Sequence, residues 1–198
     1  MLRITSLTVL FSLLLVTTGC GQDNIPDKEN QIAAAVMAAP DEQRAGATVL
    51  GYNAKGELVT LREGTNKLIC MADDPNRGGF SAACYHQDLE PFMARGRQLR
   101  AEGKSADEVF QIREEEAKAG TLVMPEQPTT LHLLEGAEGQ YDPATGQVTG
   151  ANYRYVVYIP WATAESTGLP TRPMVPGGPW IMDPGTHRAH IMVTPPKE

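Results

Sequence analysis

The feature that most constrains this chain is the apolar run near its amino terminus. Ile4 to Val16 hold Leu7, Val9, Leu10, Phe11, Leu13, Leu14 and Leu15 behind a single positive charge, Arg3. A helix crossing a hydrocarbon core of about 30 Å needs ~20 apolar residues, so this run is too short for an ordinary transmembrane segment. A short apolar core behind a basic residue is instead the pattern of an export signal, which is removed from the mature protein. Residues 1–19 are therefore read out of the fold. Folding then takes place in a compartment where disulfides persist.

The segment ends in LVTTGC, which resembles the lipobox of bacterial lipoproteins, with Thr17 where that pattern prefers an aliphatic residue. The resemblance implies that Cys20 is lipidated and becomes the first mature residue. GQDNIPDKEN follows, polar and with nothing to offer a core, and reads as a tether over residues 20–30. Gly21 after the cysteine resembles lipoproteins released to the outer membrane, so the expected address is the cell envelope, lipid-anchored and facing the periplasm. Residues 31–198 are expected to form one domain, a size that supports a proper core.

With Cys20 committed to lipid, two of the three cysteines remain, and Cys70 and Cys84 are expected to form a disulfide. The enclosed MADDPNRGGFSAA is polar and Gly-rich, a loop that gains order from a clip. No CxxC motif supports thiol redox chemistry. Acidic residues outnumber basic ones, 24 against 17 in the whole chain. Nucleic acid is excluded as a partner on that balance, because phosphate contacts need a basic face.

Local patterns give the elements. ENQIAAAVMAA (29–39) predicts a helix ending before Pro40. ATVLGY and ELVTLRE, joined by NAKG, predict a β-hairpin, and KLICMA a third strand. PFMARGRQLRAEG predicts a helix closed by Gly103. A second helix follows, opened by a Ser105–Glu108 capping box, with Val109 and Phe110 inward, Glu114 paired to Lys118, and Gly120 at its end. Glu114, Glu115 and Glu116 are read as a solvated face. TTLHLLEG predicts a strand with Leu131 and Leu133 on one face and His132 and Leu134 on the other. NYRYVVYIPW is the strongest strand, with Tyr153, Tyr155, Val157 and Ile159 sharing a face, and HIMVT is a short final one. Residues 160–185 carry six prolines and no periodicity. The fold class expected is α+β, a mainly antiparallel sheet with a central helical pair and a Pro-rich loop.

LVTLREGTNKLICMADDP, CYHQDLEPFMARGRQLR and GGPWIMDPGTHRAHIMV together resemble a family of exported bacterial proteins with no assigned activity. The resemblance spans most of residues 45–195 and implies that the three segments share one folded unit. It implies nothing about mechanism.

Candidate chemistry is sparse. A metal site on His187 and His190, joined by His86 or His132, is disfavoured, since residues three apart on a strand face opposite ways and no HExxH pattern is present. Asp73, Asp74 and Asn76 with Gly78 lack the remaining acidic positions of an EF-hand. No nucleophile elbow, P-loop or dinucleotide fingerprint occurs. No metal or cofactor is expected. What remains is the segment between Trp161 and Trp180, long enough to be functional, followed by His187 and His190. These four are the candidate binding residues, with the loop expected to pack on the sheet and wall a groove. Catalytic residues are not identifiable. The leading expectation is a non-catalytic lipoprotein that binds an unidentified protein or small molecule. The alternative is a periplasmic enzyme using Glu63, His132, His187 or His190 under the loop.

Overall fold

The structure is a computed structural model and describes residues 25–196; the expected signal peptide, Cys20 and the start of the expected tether lie outside the described residues. Helix α1 (Lys28–Ala35) begins within the stretch expected to be tether. Its cap is Asp27, whose carboxylate accepts the Asn30 N–H at 2.8 Å. A 3-10 turn, Val36–Ala38, extends it, and the chain is already extended at Ala39, before Pro40. Gln31 is buried and bridges to the first strand, accepting the Tyr52 N–H at 2.7 Å and donating to the Tyr52 carbonyl at 2.9 Å. A four-residue helix α2 (Asp41–Arg44) follows.

Strands β1 (Thr48–Tyr52) and β2 (Leu58–Arg62) form the expected hairpin. Next come β3 (Leu68–Met71) and β4 (Phe80–His86), then α3 (Glu90–Ala101) and α4 (Ala106–Lys118). The capping box at Ser105 and Glu108 is formed, and Gly103 and Gly120 take the left-handed conformation that ends each helix, with φ of 80° and 72°. The chain returns to strand in β5 (Thr129–Gly136), a small hairpin of β6 (Gln140–Asp142) and β7 (Gln147–Thr149), and β8 (Asn152–Tyr158). The segment expected to lack periodicity holds two short elements, helix α5 (Ala164–Thr167) and strand β9 (Trp180–Met182), before β10 (His190–Val193).

Eight strands make one sheet in the order β2-β1-β3-β4-β5-β8-β10-β9, antiparallel throughout except for the β1–β3 pair. Each face carries its own core. On one, the Ala-rich α1 and its 3-10 turn lie over Val49, Cys70, Ala82, Cys84 and Leu134, where small side chains let the helix approach closely. On the other, Leu89 and Phe92 at the start of the α3–α4 pair cover Tyr85, Leu131, Val156 and Tyr158. The α+β class therefore holds, with helices on both faces. Cys70 and Cys84 are direct cross-strand partners, with Cα atoms 4.0 Å apart, and are disulfide-bonded.

Leu131 and Leu134 divide between the two cores as their alternation predicts. In β8 the buried side is Val156 and Tyr158, whereas Tyr155 on the aromatic face is 39% exposed. The helical pair chooses the face that Phe92 can reach: its ring meets Tyr158 edge-on at 5.4 Å. The Pro-rich loop does not pack on the sheet along its whole length. Pro170 accepts the Ile181 N–H at 2.9 Å, but Met174 and Val175 at its tip are 81% and 63% exposed.

Candidate functional site

Thr129 at the start of β5 faces Tyr158 at the end of β8. Antiparallel pairing thus brings together the chain entering β5 and the chain leaving β8. These two irregular segments, Met124–Pro128 and Ile159–Ala162, are the walls of a cleft of about 540 Å3. Met124, Pro125, Pro128, Ile159, Pro160 and Trp161 line it, with Glu126 as the only charged side chain. Prolines serve well there, since they expose apolar surface and need no N–H partner.

Trp161 is held with φ of 69°, a left-handed backbone that costs a non-glycine residue ~1–3 kcal/mol and persists only when its surroundings over-determine it. They do. The Trp161 N–H donates to the Thr186 carbonyl at 2.8 Å, and the Gly185 N–H donates to the Ala162 carbonyl at 2.7 Å, a reciprocal clamp between two turns. The second turn carries its own left-handed residue, Asp183 with φ of 51°, whose carboxylate accepts from Arg188 Nε at 2.7 Å. The result is that Trp161 lines the cleft with 41% of its surface exposed.

Behind the clamp lies His187, fully buried. Its backbone N–H and its ring Nδ1–H both donate to one Glu114 oxygen, at 2.9 and 2.5 Å, and the other Glu114 oxygen meets the Lys118 ammonium at 2.7 Å. Burial opposes ionisation of Glu114. The Lys118 ammonium and both His187 donors outweigh it and hold the carboxyl at about 2. Burial also lowers His187 below its ordinary value, against the pull of Glu114. With Nδ1 protonated toward Glu114, Nε2 is left as an acceptor, enclosed by the Phe92 and Phe110 rings at 5.7 and 5.0 Å and without a partner among the described residues.

A carboxylate that orients an imidazole is half of an acid–base catalyst. The other half is a substrate within hydrogen-bond reach of the free nitrogen. His187 does not line this cleft. The pair instead ties α4 to the turn that clamps Trp161. Arg188 adds a second tie, its guanidinium 4.9 Å above the Phe110 ring.

The other expected residues are dispersed. Trp180 opens β9 at the sheet edge, half-buried against the α3–α4 side and opposite Met192. His190 is buried at the start of β10, donating from Nδ1 to the Arg188 carbonyl at 2.7 Å. His132 lies on β5 beside Tyr155, and Glu63 is exposed just past β2, the strand at the opposite edge of the sheet. The four residues considered for catalysis therefore do not share a cleft. Among the described residues no group of three His, Cys, Asp or Glu side chains is placed to hold a metal, and no helix is long and apolar enough to cross a membrane.

The reading of Glu114 to Glu116 as a solvated face is corrected at two of the three positions. Glu115 is exposed, but Glu114 is buried and Glu116 forms a two-pronged pair with Arg95. The signal was present in the spacing. Glu114 is four residues after Phe110, and Arg113 four after Val109, so both share the inward face. Arg113 is 6% exposed, lies 3.9 Å over the Phe92 ring and donates to the Phe92 carbonyl at 3.1 Å. Burial lowers it to about 10.

No protein-family model matches the chain, and neither a curated protein nor a solved structure matches it.

Proposed function

We propose that this protein is a cell-envelope lipoprotein, anchored through Cys20 at the outer membrane and facing the periplasm, whose domain is a non-catalytic module binding an extended peptide segment in the Trp161 cleft. The observation that carries the reading is Trp161 itself: a large aromatic ring held exposed in a concavity, on a strained backbone clamped by two hydrogen bonds. Strain of this kind clusters at ligand-binding sites. Proline- and aromatic-lined grooves suit extended, proline-containing segments, which lose little entropy on docking. The His187 imidazole, oriented by Glu114, lies behind the cleft wall, where it braces the turn. The lipid address rests on the LVTTGC segment and the polar residues after it.

Calorimetric titration with a ten-residue proline–alanine repeat tests the binding. The reading expects saturable association, weakened at least tenfold by Trp161→Ala, since truncating a central aromatic anchor typically removes ~2 kcal/mol or more. Peptide binding that is equally tight in Trp161→Ala, or a turnover lost in His187→Gln, would overturn it.

A further inference from the structure

A second concavity, of about 430 Å3, lies between the amino end of α1, the loop after β3 and the β6–β7 hairpin. Its floor is apolar: Ala34, Ala72 and Phe80 are all buried. Its loop wall is anchored at both ends by the strands that the Cys70–Cys84 disulfide joins. The size is within the ~300–1,000 Å3 typical of small-molecule sites.

Two opposite charges, the half-buried Asp73 and the exposed Arg77, line this space without forming an ion pair with each other. The Asp73 carboxylate is half-buried and accepts the Ser81 N–H at 3.0 Å on one oxygen, and it has no ion-pair partner among the described residues. Burial raises its pKa, against the opposing pull of the Ser81 N–H and the Arg77 charge. Arg77 forms no side-chain hydrogen bond or ion pair among the described residues; only its backbone N–H is engaged, by the Asp74 carbonyl. Asp74 is occupied within its own turn, accepting from Asn76. An isolated cation or anion in this space would answer one charge and leave the other. A ligand with both charges answers both at no net charge, and a guanidinium is well shaped to hold a carboxylate through two hydrogen bonds.

We propose that this concavity binds a small zwitterion of dipeptide size, with its ammonium on Asp73, its carboxylate on Arg77 and its side chains over Phe80. The site is separate from the Trp161 cleft and does not depend on it. Titration of the full chain in detergent with alanyl-alanine, its N-acetyl form and its carboxamide tests the assignment. The free dipeptide binds saturably, and each blocked form binds about tenfold more weakly or worse, the size of one charge-assisted hydrogen bond. Asp73→Asn removes the preference for the free ammonium, Arg77→Gln the preference for the free carboxylate, and Trp161→Ala leaves both in place. No saturable binding of the free dipeptide, equal binding of the blocked forms, or loss of binding in Trp161→Ala would each overturn the proposal.

Discussion

Glu114 and His187, 73 residues apart in sequence, share a single carboxylate oxygen that receives both the backbone N–H and the ring Nδ1–H of the histidine. This contact fastens the turn that clamps Trp161 to helix α4.

Removing the carboxylate leaves two buried donors without an acceptor. Glu114→Ala is expected to lower stability by ~3–5 kcal/mol, as for breaking a buried pair by deleting one member. Glu114→Gln keeps an acceptor and is expected to cost ~1–3 kcal/mol. Urea unfolding monitored by circular dichroism measures both. A loss below ~1 kcal/mol in Glu114→Ala would mean that the pair is not a brace.

Acid should destabilise the fold in two stages. His187 and His190 are both lowered from 6.5, chiefly by burial, so the unfolded chain takes up protons that the folded one refuses. Stability is therefore lost as pH falls through about 6.5, by up to ~1.4 kcal/mol per pH unit for each group. Glu114, held at about 2 against an ordinary 4.5, adds a second loss as pH falls below about 4.5. Thermal unfolding between pH 7.5 and 3.5 should show a falling midpoint throughout, with His187→Gln removing part of the first stage. A midpoint that rises between pH 7 and 5.5 would reverse the sign of the account.

The disulfide joins two residues with no exposed surface, 14 apart in sequence. In the chain-entropy model it contributes ~3 kcal/mol. Reduced or Cys70→Ser/Cys84→Ser protein is expected to unfold at correspondingly lower urea. Dithiothreitol should reduce the native protein only at the rate of opening of the sheet. Reduction within seconds under native conditions would contradict the burial.

Much of the fold is legible in the sequence because it is local. Ser105 and Glu108 announce their helix, NAKG its hairpin, and the alternation through Leu131 and Leu134 the two cores. The site is less legible, for two physical reasons. A left-handed Trp161 leaves no signature, since the conformation is imposed by hydrogen bonds to the Thr186 and Ala162 carbonyls rather than chosen by the residue. The burial of Glu114 is set by a partner 73 residues away, and a run of three glutamates reads as solvated until the four-residue step from Phe110 is counted.

The lipid address makes a separate prediction. Full-length protein should incorporate radiolabelled fatty acid and fractionate with membranes. Cys20→Ala should abolish the label and release the domain. Label retained in Cys20→Ala would place the modification elsewhere.

The most direct measurement of the central claim, peptide binding at Trp161, uses the chain's two tryptophans, each with one indole N–H. In a 15N-correlated spectrum titrated with the proline–alanine peptide, the Trp161 indole signal should shift saturably while that of Trp180, at the sheet edge, stays in place. Assignment follows from Trp161→Phe and Trp180→Phe. A Trp161 signal unmoved at saturating peptide, or a shift confined to Trp180, would contradict the account.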